Sequence, residues 1–176
     1  NRLCGRFLSI RTTNRVDIEK LTVDKEPIPM FDDLLDALGD NINYYIELKM
    51  WPHASIDYKT KLVFYTINEI HKRNLQNKCL IASFNPLAVQ LARRLGYNNV
   101  GYIYDKGKNT VFNAKVSCPK HSLIKKPIDK KITYAWTVNN RRRMKTLIEH
   151  NVNGIVTNHP DRLKEVYNEV RATNSL

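Results

Sequence analysis

Residues 78–104 read KCLIASFNPLAVQLARRLGYNNVGYIY, and they contain one complete strand–helix–strand unit. The run at 78–84 is short and apolar, which fits a strand buried on both faces. Asn85 is a good helix N-cap, Pro86 suits the first helical position, and Gly96 falls just past the end. The run at 100–104 is a second strand. A crossover of this length joins parallel strands.

The same alternation extends in both directions. Upstream, Phe31, Leu34, Leu35 and Leu38 have helical spacing and Gly39 stops the helix. Residues 43–50, NYYIELKM, predict a strand, followed by a helix over 57–73. Downstream, residues 105–130 are Lys-rich and read as a long loop with a short strand at 114–118. Strands follow at 131–138 and 153–158. Between them lies a helix carrying Met144, Leu147 and Ile148. Pro160 opens the last helix, whose Leu163, Val166, Tyr167 and Val170 are expected to face inward. The reading is α/β, five strands in a parallel sheet, either open or part of a (β/α)8 TIM barrel, in one domain over 1–176.

Composition narrows the function. The 176 residues carry 29 Lys and Arg against 17 Asp and Glu, a net charge of +12, which suits anionic partners such as phosphate esters or lipid head groups. No zinc-finger, RNP-type or helix-turn-helix pattern occurs, so no nucleic acid is expected as partner. No apolar run is long enough for a transmembrane segment. Three scattered cysteines predict reduced structural thiols rather than a zinc site or a disulfide scaffold. Arg141, Arg142, Arg143 and Lys145 read as a solvated helix face. No G-x-G-x-x-G or Walker A motif follows a strand, which excludes the common dinucleotide and P-loop sites.

In parallel α/β folds, chemistry gathers where strands end. Polar or aromatic residues close each strand here: Glu47 and Lys49, Ser83 and Asn85, Tyr104, Trp136 with Thr137 and Asn139, Thr157 and Asn158. Strand alternation puts Tyr45, Glu47 and Lys49 on one face. An acid and an ammonium inside a sheet need a partner, a metal or a ligand. A structural Glu47–Lys49 ion pair fits the residues equally well.

In order, these ends read IELK, SFNP, YAWTVNN and GIVTNHPD. With IPMFDDLLDAL before the first and RMKTLIEHNVNGIVTNHPDRLKEV at the close, the chain resembles the glycerophosphodiester phosphodiesterase family over its C-terminal two-thirds. The resemblance implies a TIM barrel of the PLC-like phosphodiesterase type. It implies metal-dependent hydrolysis of glycerophosphodiesters to glycerol 3-phosphate and an alcohol. Glu47 matches the family's metal-binding Glu, which implies calcium or magnesium as cofactor. Lys49 matches the Lys supporting the phosphate site. Trp136 matches an aromatic residue of the substrate pocket. Ser83 and Asn85 match SFNP and are substrate-binding candidates, although Asn85 also caps a helix.

The chain departs from the family in three places. Asn158 stands where Asp is usual. PKHSLIKKPIDKK replaces the helix and Gly before the Trp strand. The HRG, Glu-x-Asp and His-Asp motifs are missing; Gly5-Arg6 falls about where His-Asp belongs, and FLSIRTT resembles the segment after it. All five histidines read as surface or cap residues outside the strand ends. The expectation is therefore an N-terminally truncated domain lacking the first three strands, inactive alone, its upstream segment needed as partner. The alternatives are a catalytically dead relative that binds phosphate or lipid head groups, and a phospholipase-type phosphodiesterase on the same barrel.

Overall fold

The computed structural model describes residues 12–107 and 114–173. Gly5-Arg6 and residues 7–11 lie outside them. The chain divides into two compact units, Asn1–Ile42 and Asn43–Leu176.

In the first unit, helix α1 spans Arg15–Glu19, capped by Asn14, whose Oδ1 accepts from the Asp17 N–H at 3.0 Å. Strands β1 (Thr22–Val23) and β2 (Glu26–Pro27) pair antiparallel. The two residues between them, Asp24 and Lys25, both have positive φ, as a primed two-residue hairpin turn requires. Helix α2 is Phe31–Leu38, as its spacing predicts, and ends at Gly39 with φ 55°.

The second unit runs β3 (Tyr44–Glu47), α3 (Ile56–Lys72), β4 (Cys79–Ser83), α4 (Pro86–Arg94), β5 (Val100–Tyr104), β6 (Val116–Pro119), a single 3₁₀ turn (His121–Leu123), β7 (Tyr134–Ala135), α5 (Arg141–Glu149), β8 (Gly154–Ile155) and α6 (Pro160–Thr173). Strands β3 to β6 form one parallel sheet in chain order. Strands β7 and β8 pair in parallel, and bridges Ser117↔Thr133 and Lys120↔Trp136 join β7 to β6. Among the described residues β3 and β8 do not pair, so the sheet is open between them.

Two expectations are corrected here. The short strand at 114–118 is a full sheet member at 116–119, so the second unit has six parallel strands rather than five. Ser117 and the terminal Pro119 hide it from an apolar-run reading, yet all four of its residues are buried. Pro119 sits at the strand end, where the lost N–H costs least. Tyr167 is exposed rather than inward; the Arg171 guanidinium lies 5.2 Å from its ring centre.

Strand β4 is buried along its whole length, as expected of a sheet covered on both faces. On one face Leu80, Ala82, Ile103, Val116 and Cys118 pack with Tyr45, Tyr134 and Trp136. A second cluster joins α5 and α6 through Met144, Leu147, Val166 and Val170, with Ala135 and Val138. Glycine is needed at 154: a Cβ there would meet the Tyr134 ring at 2.9 Å. The described thiols are structural. Burial pushes both Cys79 and Cys118 up to about 11, so they stay protonated at neutral pH.

Candidate active site

Strand β3 delivers Glu47 to its C-terminal end, and the chain then leaves the ladder. The Leu48 N–H still donates to the Ala82 carbonyl at 2.8 Å. Ser83 Oγ donates to the Leu48 carbonyl at 2.7 Å and accepts from the Asn85 N–H at 3.1 Å. Asn85 Oδ1 accepts from the Leu87 N–H at 3.0 Å, capping α4. Ser83 is buried. Ser83 thus ties the exit of β3 to the exit of β4, and Asn85 starts α4.

Beyond Glu47 the loop is shaped by its own contacts. Ala54 N–H donates to the Trp51 carbonyl, Ser55 caps α3, and the buried Lys59 ammonium donates to the Pro52 carbonyl at 2.8 Å. The result is a cavity of about 380 Å³ lined by Glu47, Lys49, Met50, Trp51, Pro52 and Phe84. Lys49 Nζ donates to Glu47 Oε1 at 2.7 Å. The Lys49 side chain is 81% exposed and that of Glu47 29%. An ion pair this wet contributes roughly 0–1 kcal/mol, so an anionic ligand can take the ammonium at small cost.

The wall of the site is aromatic. Phe84, 46% exposed, meets Trp136 edge-on at 5.1 Å between ring centres. Trp136 is held by its indole N–H, which donates to the Cys118 carbonyl at 2.8 Å. Trp51 is 74% exposed at the mouth. Sequence reading left out Trp51 and gave Phe84 no role of its own. The available signal was position: each lies within a few residues of a strand end.

The remaining strand ends behave differently. Asn139 is a hub: its Oδ1 accepts from Thr157 Oγ1 at 3.2 Å and from the Asn158 N–H at 3.0 Å, and its carbonyl accepts from Arg162 at 2.6 Å. It is the backbone of Asn158 that serves this network, so the loss of an acid there leaves these bonds intact. Tyr104 alternates with Ile103 onto the other sheet face and bonds Ser117 Oγ at 3.0 Å. It does not join the Glu47 cavity.

The reading of the histidines as surface or cap residues holds for His53, which is exposed, and for His159, whose carbonyl accepts from the Leu163 N–H at the start of α6, but not for His121. His53, His121 and His159 lie on the loops that follow β3, β6 and β8, at the same end of the sheet as Glu47. His121 is tied down: its N–H donates to the Trp136 carbonyl at 2.9 Å, while its Nδ1 is buried with no hydrogen-bond partner. Burial, then the nearby Arg143 and Lys120 cations, holds its imidazole below the ordinary value of 6.5. The unfolded chain then takes up this proton more readily than the folded one. Stability from His121 is present in full above pH 6.5 and is lost as the pH falls towards the lower folded value. Melting temperature should drop on acidification from pH 7.5 to 5, less steeply in His121→Gln. Equal slopes in the two proteins would remove His121 from the account.

The described residues do not by themselves complete a calcium or magnesium site. These ions take six or more oxygen ligands. Glu47 offers one carboxylate, already paired, and no three His, Cys, Asp or Glu side chains are grouped for a metal among the described residues. Calorimetric titration with calcium or magnesium should show no site tighter than about 1 mM; a tighter one would mean the ligands lie elsewhere.

Comparison with solved structures gives the architecture its place. A glycerophosphodiester phosphodiesterase from Parabacteroides distasonis superposes with TM-score 0.79 at 18% identity, over 93% of this chain and 74% of that one. A phosphodiesterase from Oleispira antarctica, solved with its product sn-glycerol-3-phosphate, gives 0.75 at 14%, over 90% and 72%. The fold is that of the glycerophosphodiester phosphodiesterases. A Silicibacter pomeroyi protein provisionally named a glycerophosphoryl diester phosphodiesterase gives 0.70 at 20% over 80% of this chain, which spans only 56% of that structure. In sequence, the family Dermonecrotic toxin SPH matches residues 105–176, under half of the chain. No curated protein matches in sequence. On this glycerophosphodiester phosphodiesterase fold, Glu47 and Lys49 stand at a strand's C-terminal end, where parallel α/β folds place their ligands.

Proposed function

We propose that this chain carries the substrate-holding rim of a phosphoric diester hydrolase, one that converts glycerophosphodiesters to glycerol 3-phosphate and an alcohol. The carrying observation is the Glu47–Lys49 pair at the end of β3, opening on an aromatic-walled cavity. Lys49 offers a mobile ammonium to the phosphate oxygens. Phe84 and Trp51 offer apolar faces to the carbon skeleton, with Trp136 supporting Phe84 from behind. The TIM-barrel closure that this reading calls for draws on strands other than the six described. Glu47 is one candidate metal ligand, the others coming from the same source, as do the groups that transfer protons. The chain alone is therefore a binder without turnover.

The test is titration of sn-glycerol 3-phosphate into the protein, followed by NMR. Lys49→Met should weaken binding about 10-fold or more, the worth of one charge-assisted hydrogen bond. Unchanged affinity would sink the site. Hydrolysis of glycerophosphocholine by the chain, abolished by Glu47→Ala, would overturn the claim of inactivity. A second reading, a head-group binder that performs no chemistry, is favoured by the lack of a metal-capable cluster among the described residues. It predicts the same binding, and no turnover even when upstream sequence is added.

A further inference from the structure

The Lys-rich stretch between β6 and β7 is not used by the proposed site. It forms no α-helix, yet it is firmly held. Arg143 from α5 donates to the His121 and Ile124 carbonyls. The Ile128 N–H donates to the His150 carbonyl at 2.8 Å, and Lys131 Nζ binds the Ala114 carbonyl. The segment lies beside a groove of about 320 Å³ on the sheet face that carries Tyr104 and Ser117. Its apolar part is Pro119, Leu123, Ile124, Pro127 and Ile128, and Lys125, Lys126 and Lys131 also line it, with Gly107 and Thr133. Between residues 114 and 131 there are six lysines and one acid, Asp129. Lys115 lines a separate cavity with Asn43 and Lys78. Lys120, Lys125, Lys126 and Lys130 are exposed, and none has a carboxylate partner among the described residues.

We infer that this groove and its lysine rim are a docking surface for an anionic phospholipid bilayer. Charge complementarity carries the assignment: clusters of roughly four to eight basic residues are what anionic membrane surfaces attract. The apolar lining distinguishes it from a merely solvated charge run, because lysine stems can lie along apolar surface while their ammonium groups reach phosphates. A single-stranded nucleic acid fits less well. It needs free aromatic faces for its bases, and among the described residues the one ring lining the groove, Tyr104, is stacked on Tyr102 at 5.7 Å and bonded to Ser117. These observations are independent of the Glu47 cavity, so the surface can fail while the proposed active site stands, and the reverse.

The experiment is vesicle co-sedimentation of the whole chain, using phosphatidylcholine alone and phosphatidylcholine with 30% phosphatidylserine. Binding is expected only to the mixed vesicles and should weaken as salt is raised. Each rim lysine near the surface contributes about fivefold. The exposed triple variant Lys125→Gln, Lys126→Gln, Lys130→Gln should therefore lose about 100-fold. A control with the same charge change elsewhere, Lys61→Gln, Arg94→Gln, Lys164→Gln, should lose under about fivefold. Equal losses in both variants would mean bulk charge drives binding, and would overturn the inference. So would a lack of binding to the mixed vesicles, or tighter binding to a single-stranded RNA oligonucleotide that the groove variant abolishes.

Discussion

Arg143→Met is expected to destabilise the protein by about 3–4 kcal/mol, measured by urea unfolding. Arg143 sits on the second unit's most basic helix, in a run that reads from sequence as solvated. Instead its guanidinium reaches back to two backbone carbonyls, His121 and Ile124, at the start of the Lys-rich crossover. Hydrogen bonds from a charged donor contribute roughly 1.5–3 kcal/mol each, and an abandoned buried carbonyl adds its own desolvation cost. Ile124 is buried, so water cannot easily replace the donor. Both bonds leave one nitrogen, Nη2, so Arg143→Lys, whose ammonium also carries several donors on one nitrogen, should recover part of the loss. If Arg143→Met unfolds at the wild-type midpoint, the crossover is held by other contacts. Neighbouring Arg141 is also engaged, pairing with Glu165 and Glu169 of α6.

Leu147→Ala should cost about 2–5 kcal/mol. Leu147 is fully buried between α5 and α6, with Met144, Val166 and Val170 around it. Both helices lie in the part of the sheet where the strands are shortest, so packing rather than ladder hydrogen bonds must hold it together. The matched control is Lys145→Ala on the same helix, exposed and expected to stay within about 0.5 kcal/mol of wild type. A loss from Leu147→Ala no larger than the control's would contradict the assignment of this cluster as core.

How far the sequence could be read depended on the kind of signal. Helices were legible because caps and spacing agree: Asn85, Pro86 and Gly96 bracket α4 as the rules require, and α2 has its predicted bounds. Strands β3, β4 and β5 were legible as apolar or alternating runs. Strand β6 was not, since its burial comes from tertiary position while Ser117, Pro119 and the surrounding lysines look like loop. The two last strands shrank to two residues each, because their flanking residues make loop and bridge bonds instead of ladder pairs. At the site, alternation was enough to put Glu47 and Lys49 together. The cap signal gave the role of Asn85, but nothing along the chain could reveal that the Ser83 hydroxyl bonds the Leu48 carbonyl, or that Phe84 is the exposed wall. Those outcomes depend on which partner each polar atom finds across the sheet, and spacing along one strand carries no such information.

The order of the strands bears on how the protein can be made. From β3 to β8 each strand lies next to its immediate successor in the chain, so no pairing waits for a distant piece of sequence. Each closure spans one connecting segment, and loop entropy is met in small steps rather than in one long search. On a ribosome, where the chain emerges from its N-terminal end, the Glu47 strand can be laid down first and stay paired while later strands arrive. The lining of the Glu47 cavity, residues 47–52 and Phe84, is thus complete once two strands are made, whereas Trp136, which packs edge-on against Phe84, arrives only after five strands have been assembled.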